Sequence, residues 1–427
     1  MVLSVAGLSW SLSQSEAASA IRSLGGRHPM MPSFPAVTCS VQATLTTGAE
    51  PTRHGIIANG LFDRDYRRVG FWEQSGGLVQ APKIWEIAKQ RNPEFVSAVL
   101  FWQNSIGASA DVVITPAPIH RAHGGMISSC YARPAGLYED LAGKLGPFDL
   151  MSYWGPMASI KSSRWIASAA KEVFQRFSPN LLLVYLPQLD YPLQKHGPGS
   201  PALREDIRQI DELVAEIKDW AEAGDAELVL LSEYGMTEVS GAVMPNRVLR
   251  EAGLLEVREV EGMEFLDLHA SRAFAMTDHQ VAHIYARPEA VGAARDALAA
   301  ADGVETVLGP EEKAEAGVDH PRAGELVAVS RPDRWFAYYW WHDADRAPDF
   351  ARTVDIHRKP GYDPCELFVD PATRSISMDT SLVKGSHGRA PDGPGRMAFF
   401  ASESSGGSEE VISACDAAHF ILDLISS

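Results

Sequence analysis

A chain of 427 residues with 45% apolar and 22% charged side chains can bury a sizeable core, which excludes wholesale disorder. Its 55 acidic against 38 basic residues leave a net charge of −17, a poor match for a nucleic acid polymer and a better one for metal cations. Cys39, Cys130, Cys365 and Cys415 form no CxxC pair, so a disulfide framework and a cysteine zinc site are excluded, and reduced, mostly buried thiols are expected.

In chain order, Val2–Ala6 reads as a buried strand rather than a signal peptide, because no cationic segment precedes it. Ala81–Gln90 reads as a helix with Pro82 near its first turn, Phe95–Phe101 as a strand, and Ser162–Phe177 as a helix. Leu181–Leu186 is a continuous apolar run, as expected of a strand covered on both faces. Pro201–Trp220 has helical spacing, and Glu227–Ser232 is another buried strand. This alternation predicts an α/β fold with a mostly parallel central sheet and helices on both faces.

Beyond residue 235 the elements shorten: Arg247–Ala252, Val281–Ala286, Glu289–Ala300 and Glu325–Val329. Met397–Ala401 returns to a core-like strand, and Glu410–Ile425 closes the chain as a helix. Residues 1–235 and 351–427 are therefore expected to form the core, with 236–350 as an inserted cap. Ser402–Ser408 reads as a surface loop. No apolar run reaches the ~20 residues needed to span a bilayer, so no membrane role and a cytoplasmic location are expected.

Ligands of open α/β sheets bind beyond the carboxyl ends of the strands. Asp190, Gln194 and His196 follow Leu181–Leu186, and Glu233 and Tyr234 follow Glu227–Ser232; His387 lies in KGSHG shortly before the last core strand. Carboxylates and histidines at successive strand ends are what a metal site needs. Upstream, PAVTCSVQATLTTGAEPTRHGIIANG carries Thr38 and Asn59. A threonine at a helix start meets backbone N–H groups that favour negative charge, although a plain N-cap is the commoner use of the residue. No GxGxxG, GxxxxGK[ST], HExxH or GxSxG motif is present, which weighs against a dinucleotide oxidoreductase, a P-loop NTPase, a zincin and an α/β-hydrolase.

Thr38–Gly60, YLPQLDYPLQKHGP, LLSEYGM and GSHG followed by MAFFA together resemble the alkaline phosphatase superfamily, in particular its nucleotide pyrophosphatase/phosphodiesterase branch. The resemblance implies the three-layer alkaline-phosphatase-like fold and a hydrolase of phosphodiester or pyrophosphate bonds. Thr38 takes the nucleophile position and Asn59 the position that donates a hydrogen bond to a phosphate oxygen. A small anionic phosphoryl substrate is implied, and a homo-oligomer stays open.

The resemblance also implies a divalent cofactor, zinc first, with manganese or iron as alternatives. One of the branch's two ions is held by an Asp, a His four residues on and a distant His; here Asp190 and His387 match, but the middle position is Gln194. The other is held by an Asp after the first strand and an Asp-His pair, where this chain has Ala6, Glu233 and Tyr234. One ion is expected rather than two, with Glu233 as a ligand or general base and Tyr234 as a proton or hydrogen-bond donor. His279 and His357 are the candidates to complete a site, Arg358 or Lys359 to meet an anionic substrate, and the aromatic run Tyr338–His342 to stack a ring or pack a core. Two alternatives stand beside this reading: a ligand-binding protein that has lost catalysis, and a mononuclear metalloenzyme with non-phosphoryl chemistry.

Overall fold

Five strands with short apolar sequences pair in parallel at the centre of the molecule: Val112–Pro116, Ser97–Leu100, Leu181–Leu186, Val2–Val5 and Val229–Leu231, in that spatial order. The computed structural model describes all of residues 1–427 except 124, 407, 408 and 427. Leu181–Leu186 is buried along its whole length, as its unbroken apolar run requires of a strand covered on both faces. Antiparallel neighbours extend the sheet: Cys130–Arg133 beside Val112–Pro116, and Ala398–Ala401 beside Val229–Leu231. Arg27–Met31 and Ile412–Ser413 complete nine strands. The sheet is thus mixed, with a parallel centre.

Helices Ile160–Phe177 and Arg204–Ala223 pack on one another. The second turns Ile207, Ile210, Val214, Ile217 and Ala221 inward, the three- and four-residue spacing of one helical face. Asp211, buried on that face, accepts hydrogen bonds from the backbone N–H groups of Ala20 and Ile21 and from Ser19 Oγ, and so caps the short helix Ser19–Arg22. A separate group joins Thr38–Thr47, Ile84–Arg91 and Ala414–Leu424. Among the described residues, no helix is long and apolar enough to cross a membrane.

A second apolar cluster is built on a four-stranded antiparallel sheet in the order Ala273–Asp278, Val281–Ala286, Leu326–Ser330 and Val304–Leu308. It draws on Ile57, Phe62 and Phe71, and on Cys365 and Val383, besides residues between 236 and 350. Tyr338, Tyr339, Trp340 and Trp341 are buried in it, so this aromatic run packs a core. Tyr153 and Tyr234 of the first cluster and Tyr362, packed on the second, line one cavity. Of the loop Ser402–Ser408, residues 407 and 408 lie outside the described residues.

Candidate active site

Thr38 is the first residue of the helix Thr38–Thr47, after Val37 in extended conformation. Nine of the helix's ten residues are buried, which fixes the position of its first turn. Asp190 opens the short helix that follows Leu181–Leu186. Gly7 lets this helix approach the first strand: it has φ +72°, and a Cβ there would stand 2.7 Å from Leu193 Cδ1. Glu233 and Tyr234 follow Val229–Leu231, and His387 follows the short strand Gly385–Ser386.

These elements bring Thr38, Asp190, Tyr234, His279, His357 and His387 to one aromatic-walled cavity. Thr38 Oγ1 lies 3.2 Å from the Tyr234 hydroxyl, which donates to Asp190 Oδ1 at 3.0 Å. Gln194 Nε2 donates to Asp190 Oδ2 at 2.7 Å, and Gln194 Oε1 accepts from the Tyr362 hydroxyl at 3.0 Å. Burial raises the Asp190 carboxyl to about 7, against the two hydrogen bonds it accepts. The same burial holds the Tyr234 phenol well above its ordinary value, so it stays protonated.

His387 lies flat on Tyr234, with ring centroids 3.6 Å apart and 5° between planes. Its Nδ1 meets the Ala36 carbonyl at 2.8 Å and its Nε2 is 3.8 Å from Asp190 Oδ1. Burial, with His279 beside it, keeps this imidazole neutral. His279 is the first residue of the two-residue turn between Ala273–Asp278 and Val281–Ala286, with the positive φ of 59° that such a turn needs. Its Nδ1 meets Asp278 Oδ1 at 2.7 Å, its ring stacks on Tyr362, and its buried Nε2 has no partner. Burial lowers it to about 3.

Other expected residues stand behind the cavity wall. Asn59 ties the hairpin 273–286 to the helix Thr38–Thr47: its Oδ1 accepts from Cys39 N, and its backbone N–H and Nδ2 donate to Asp278. Burial raises Asp278 to about 6, with the Asn59 donors opposing. The Asp278 carboxylate joins Asn59 to His279; its pairing with the neighbouring histidine is legible in the sequence, its link to Asn59 is not. The visible signal was a histidine between two strand-like runs, AFAMTD and VAHIYA. Glu233 turns away from Asp190 toward Ser4 Oγ and Gln42 Nε2, both of which donate to its Oε1. Its Oε2 is buried without a partner, and burial raises the carboxyl to about 7.

The metal expectation meets this geometry poorly. A cation needs lone pairs converging on one point, whereas Asp190 receives an O–H from Tyr234 and an N–H from Gln194. The Gln194 oxygen that would ligate already accepts from Tyr362, and His196 is exposed. Ala6 brings no ligand, and Glu233 points elsewhere. His357 reaches the cavity wall, but its ring packs edge-on to His120. Among the described residues, no three His, Cys, Asp or Glu side chains are grouped so as to hold an ion. The set Asp190, Gln194, His387, Glu233, His279 and His357 therefore does not assemble as a cation cage. Lys359 is also not free for an anionic substrate: it is buried, donating to Asp363 at 2.8 Å and Glu366 at 2.6 Å, while Arg358 pairs with Asp355.

Comparison with known proteins gives a consistent picture. The family model for type I phosphodiesterase/nucleotide pyrophosphatase matches residues 1–363. An uncharacterized pyrophosphatase/phosphodiesterase of Schizosaccharomyces pombe is 24% identical over 215 residues, which is 49% of this chain and 38% of that protein. Ectonucleotide pyrophosphatase/phosphodiesterase 1 of Saccharomyces cerevisiae is 26% identical over 243 residues, 53% of this chain and 30% of that protein. The aligned segments thus span about a third of the length of these relatives. In fold, the chain is similar to an inactive form of murine ectonucleotide pyrophosphatase/phosphodiesterase 5 in complex with AMP, with TM-score 0.63, 17% identity and coverage of 99% and 94% of the two chains. It is also similar to phosphonoacetate hydrolase from Sinorhizobium meliloti in complex with phosphonoformate, with TM-score 0.64, 15% identity and coverage of 99% and 95%. These likenesses bear out the alkaline-phosphatase-like α/β architecture.

Proposed function

The chain belongs to the type I phosphodiesterase/nucleotide pyrophosphatase family, hydrolases of the alkaline phosphatase superfamily, and from that premise we propose that it cleaves a phosphodiester or pyrophosphate bond with Thr38 as nucleophile. The observation that carries this reading is the hydrogen-bonded series Thr38–Tyr234–Asp190 at the cavity. Thr38 Oγ1 attacks phosphorus while its proton passes to the Tyr234 oxygen and the Tyr234 proton passes to the Asp190 carboxylate. The bond from phosphorus to the leaving oxygen breaks, and that oxygen takes up the proton. Water then attacks the phosphorylated threonine, the bond from phosphorus to Thr38 breaks, and Thr38 regains its proton. A base that titrates near neutrality, as Asp190 does at about 7, suits this exchange. Asn59 fixes the first turn of the nucleophile helix, and its amide carries a second N–H besides the one bound to Asp278.

Thr38→Ala, assayed on bis(4-nitrophenyl) phosphate, is expected to lose turnover on the order of 10³-fold or more with its thermal midpoint preserved. Acid quench of the native chain during turnover should trap phosphate on residue 38, read by peptide mass spectrometry. Near-native turnover of the variant would overturn the assignment. A second reading is favoured by the unassembled cation ligands, namely a ligand-binding protein. In that case AMP binds the native chain and the Thr38→Ala variant equally, and neither turns substrate over.

A further inference from the structure

The chemistry at Asp190 runs opposite to what the family's cations require. We propose that the Thr38 site works without divalent cations, the Tyr234 hydroxyl standing between Thr38 and Asp190 as their hydrogen-bonding substitute. That the site holds no ion is independent of the phosphoryl reading above; that it turns substrate over without one rests on it.

Three observations carry it. First, both Asp190 oxygens receive hydrogen-bond donors, from Tyr234 at 3.0 Å and Gln194 at 2.7 Å. The two groups that stand where further ligands of a cation would be needed thus present an O–H and an N–H to the carboxylate, not lone pairs to an ion. Second, the donors hold one another in place. Tyr362 fixes the Gln194 amide so that its nitrogen faces Asp190, and His387 lies flat on Tyr234 while its Nδ1 is held by Ala36. The set is packed for hydrogen bonds among its own members. Third, among the described residues no lysine or arginine lines the cavity. Its other carboxylates, Asp363 and Glu366, share one ammonium, that of Lys359. These two carboxylates are already paired and are not free to hold an ion.

The test uses the full chain purified without chelator or added metal. Metal content is measured by elemental analysis, and zinc and manganese binding by titration calorimetry. Hydrolysis of bis(4-nitrophenyl) phosphate and 4-nitrophenyl phosphate is followed with and without EDTA. A fourfold variant, Ala6→Asp, Gln194→His, Glu233→Asp and Tyr234→His, restores the family's ligand types and is titrated in parallel. The native chain is expected to bind neither ion in stoichiometric amount and to hydrolyse the diester equally with EDTA. Zinc uptake only by the fourfold variant supports the proposal. Stoichiometric ion on the native chain that is lost in Asp190→Ala overturns it, as does activity abolished by EDTA and restored by metal. If neither ester is hydrolysed and no ion binds, the phosphoryl reading fails while the absence of a cation site stands. Should the fourfold variant not fold, the native chain's titration decides alone.

Discussion

Replacing Tyr234 by Phe removes one oxygen from the Thr38–Tyr234–Asp190 series and leaves the ring that stacks on His387. The lost group is a hydroxyl donating to a buried carboxylate, an interaction worth about 1.5–3 kcal/mol. If that stabilisation is felt in the transition state, kcat falls by about 10- to 150-fold. A second effect follows from the same contact. The Tyr234 hydrogen bond lowers an Asp190 carboxyl that burial has raised to about 7. Without it the carboxyl rises further, by about one to two pH units for a loss of that size. Asp190 must be ionised to accept the proton, so the acid limb of kcat against pH starts near 7 in the native chain and moves upward in the variant. The assay is diester hydrolysis from pH 5 to pH 10, with circular dichroism to confirm folding. A variant with native kcat and an unmoved acid limb would refute the relay.

Two further predictions concern stability. Glu233, raised by burial from about 4.5 to about 7, contributes stability that is present below its unfolded value and lost as pH rises through about 7. Glu233→Gln should therefore gain on the native chain between pH 4.5 and pH 8 by up to about 3 kcal/mol in urea unfolding, and a pH-independent difference would count against a buried, titrating carboxyl. Lys359→Met strips Asp363 and Glu366 of the cation they share and should cost about 3–5 kcal/mol near pH 8, with part regained in acid as Glu366 takes up a proton. An unchanged urea midpoint would show that the cluster is hydrated in solution.

The sequence by itself determined the core. Runs such as Leu181–Leu186 and the helical spacing of residues 204–223 are local patterns, and their burial follows from period alone. Strands of mixed polarity were not legible in this way: Arg27–Met31 begins with Arg and His, carries Pro29, and is recruited by its neighbours Ala398–Ala401 and Ile412–Ser413. The same division holds at the site. Strand ends pointed to Asp190, Tyr234 and His387, because that is where open sheets place their ligands, and the helix-start block resembling the family's pointed to Thr38. What they do on meeting was decided by tertiary structure. Thr38 and Tyr234 are 196 positions apart, and Asn59 and Asp278 are 219 apart. Whether Gln194 offers Asp190 an oxygen's lone pair or an amide proton depends on Tyr362, a further 168 positions along. Residue type shows that a group can ligate or donate; its hydrogen-bond partners, supplied by distant segments, select which.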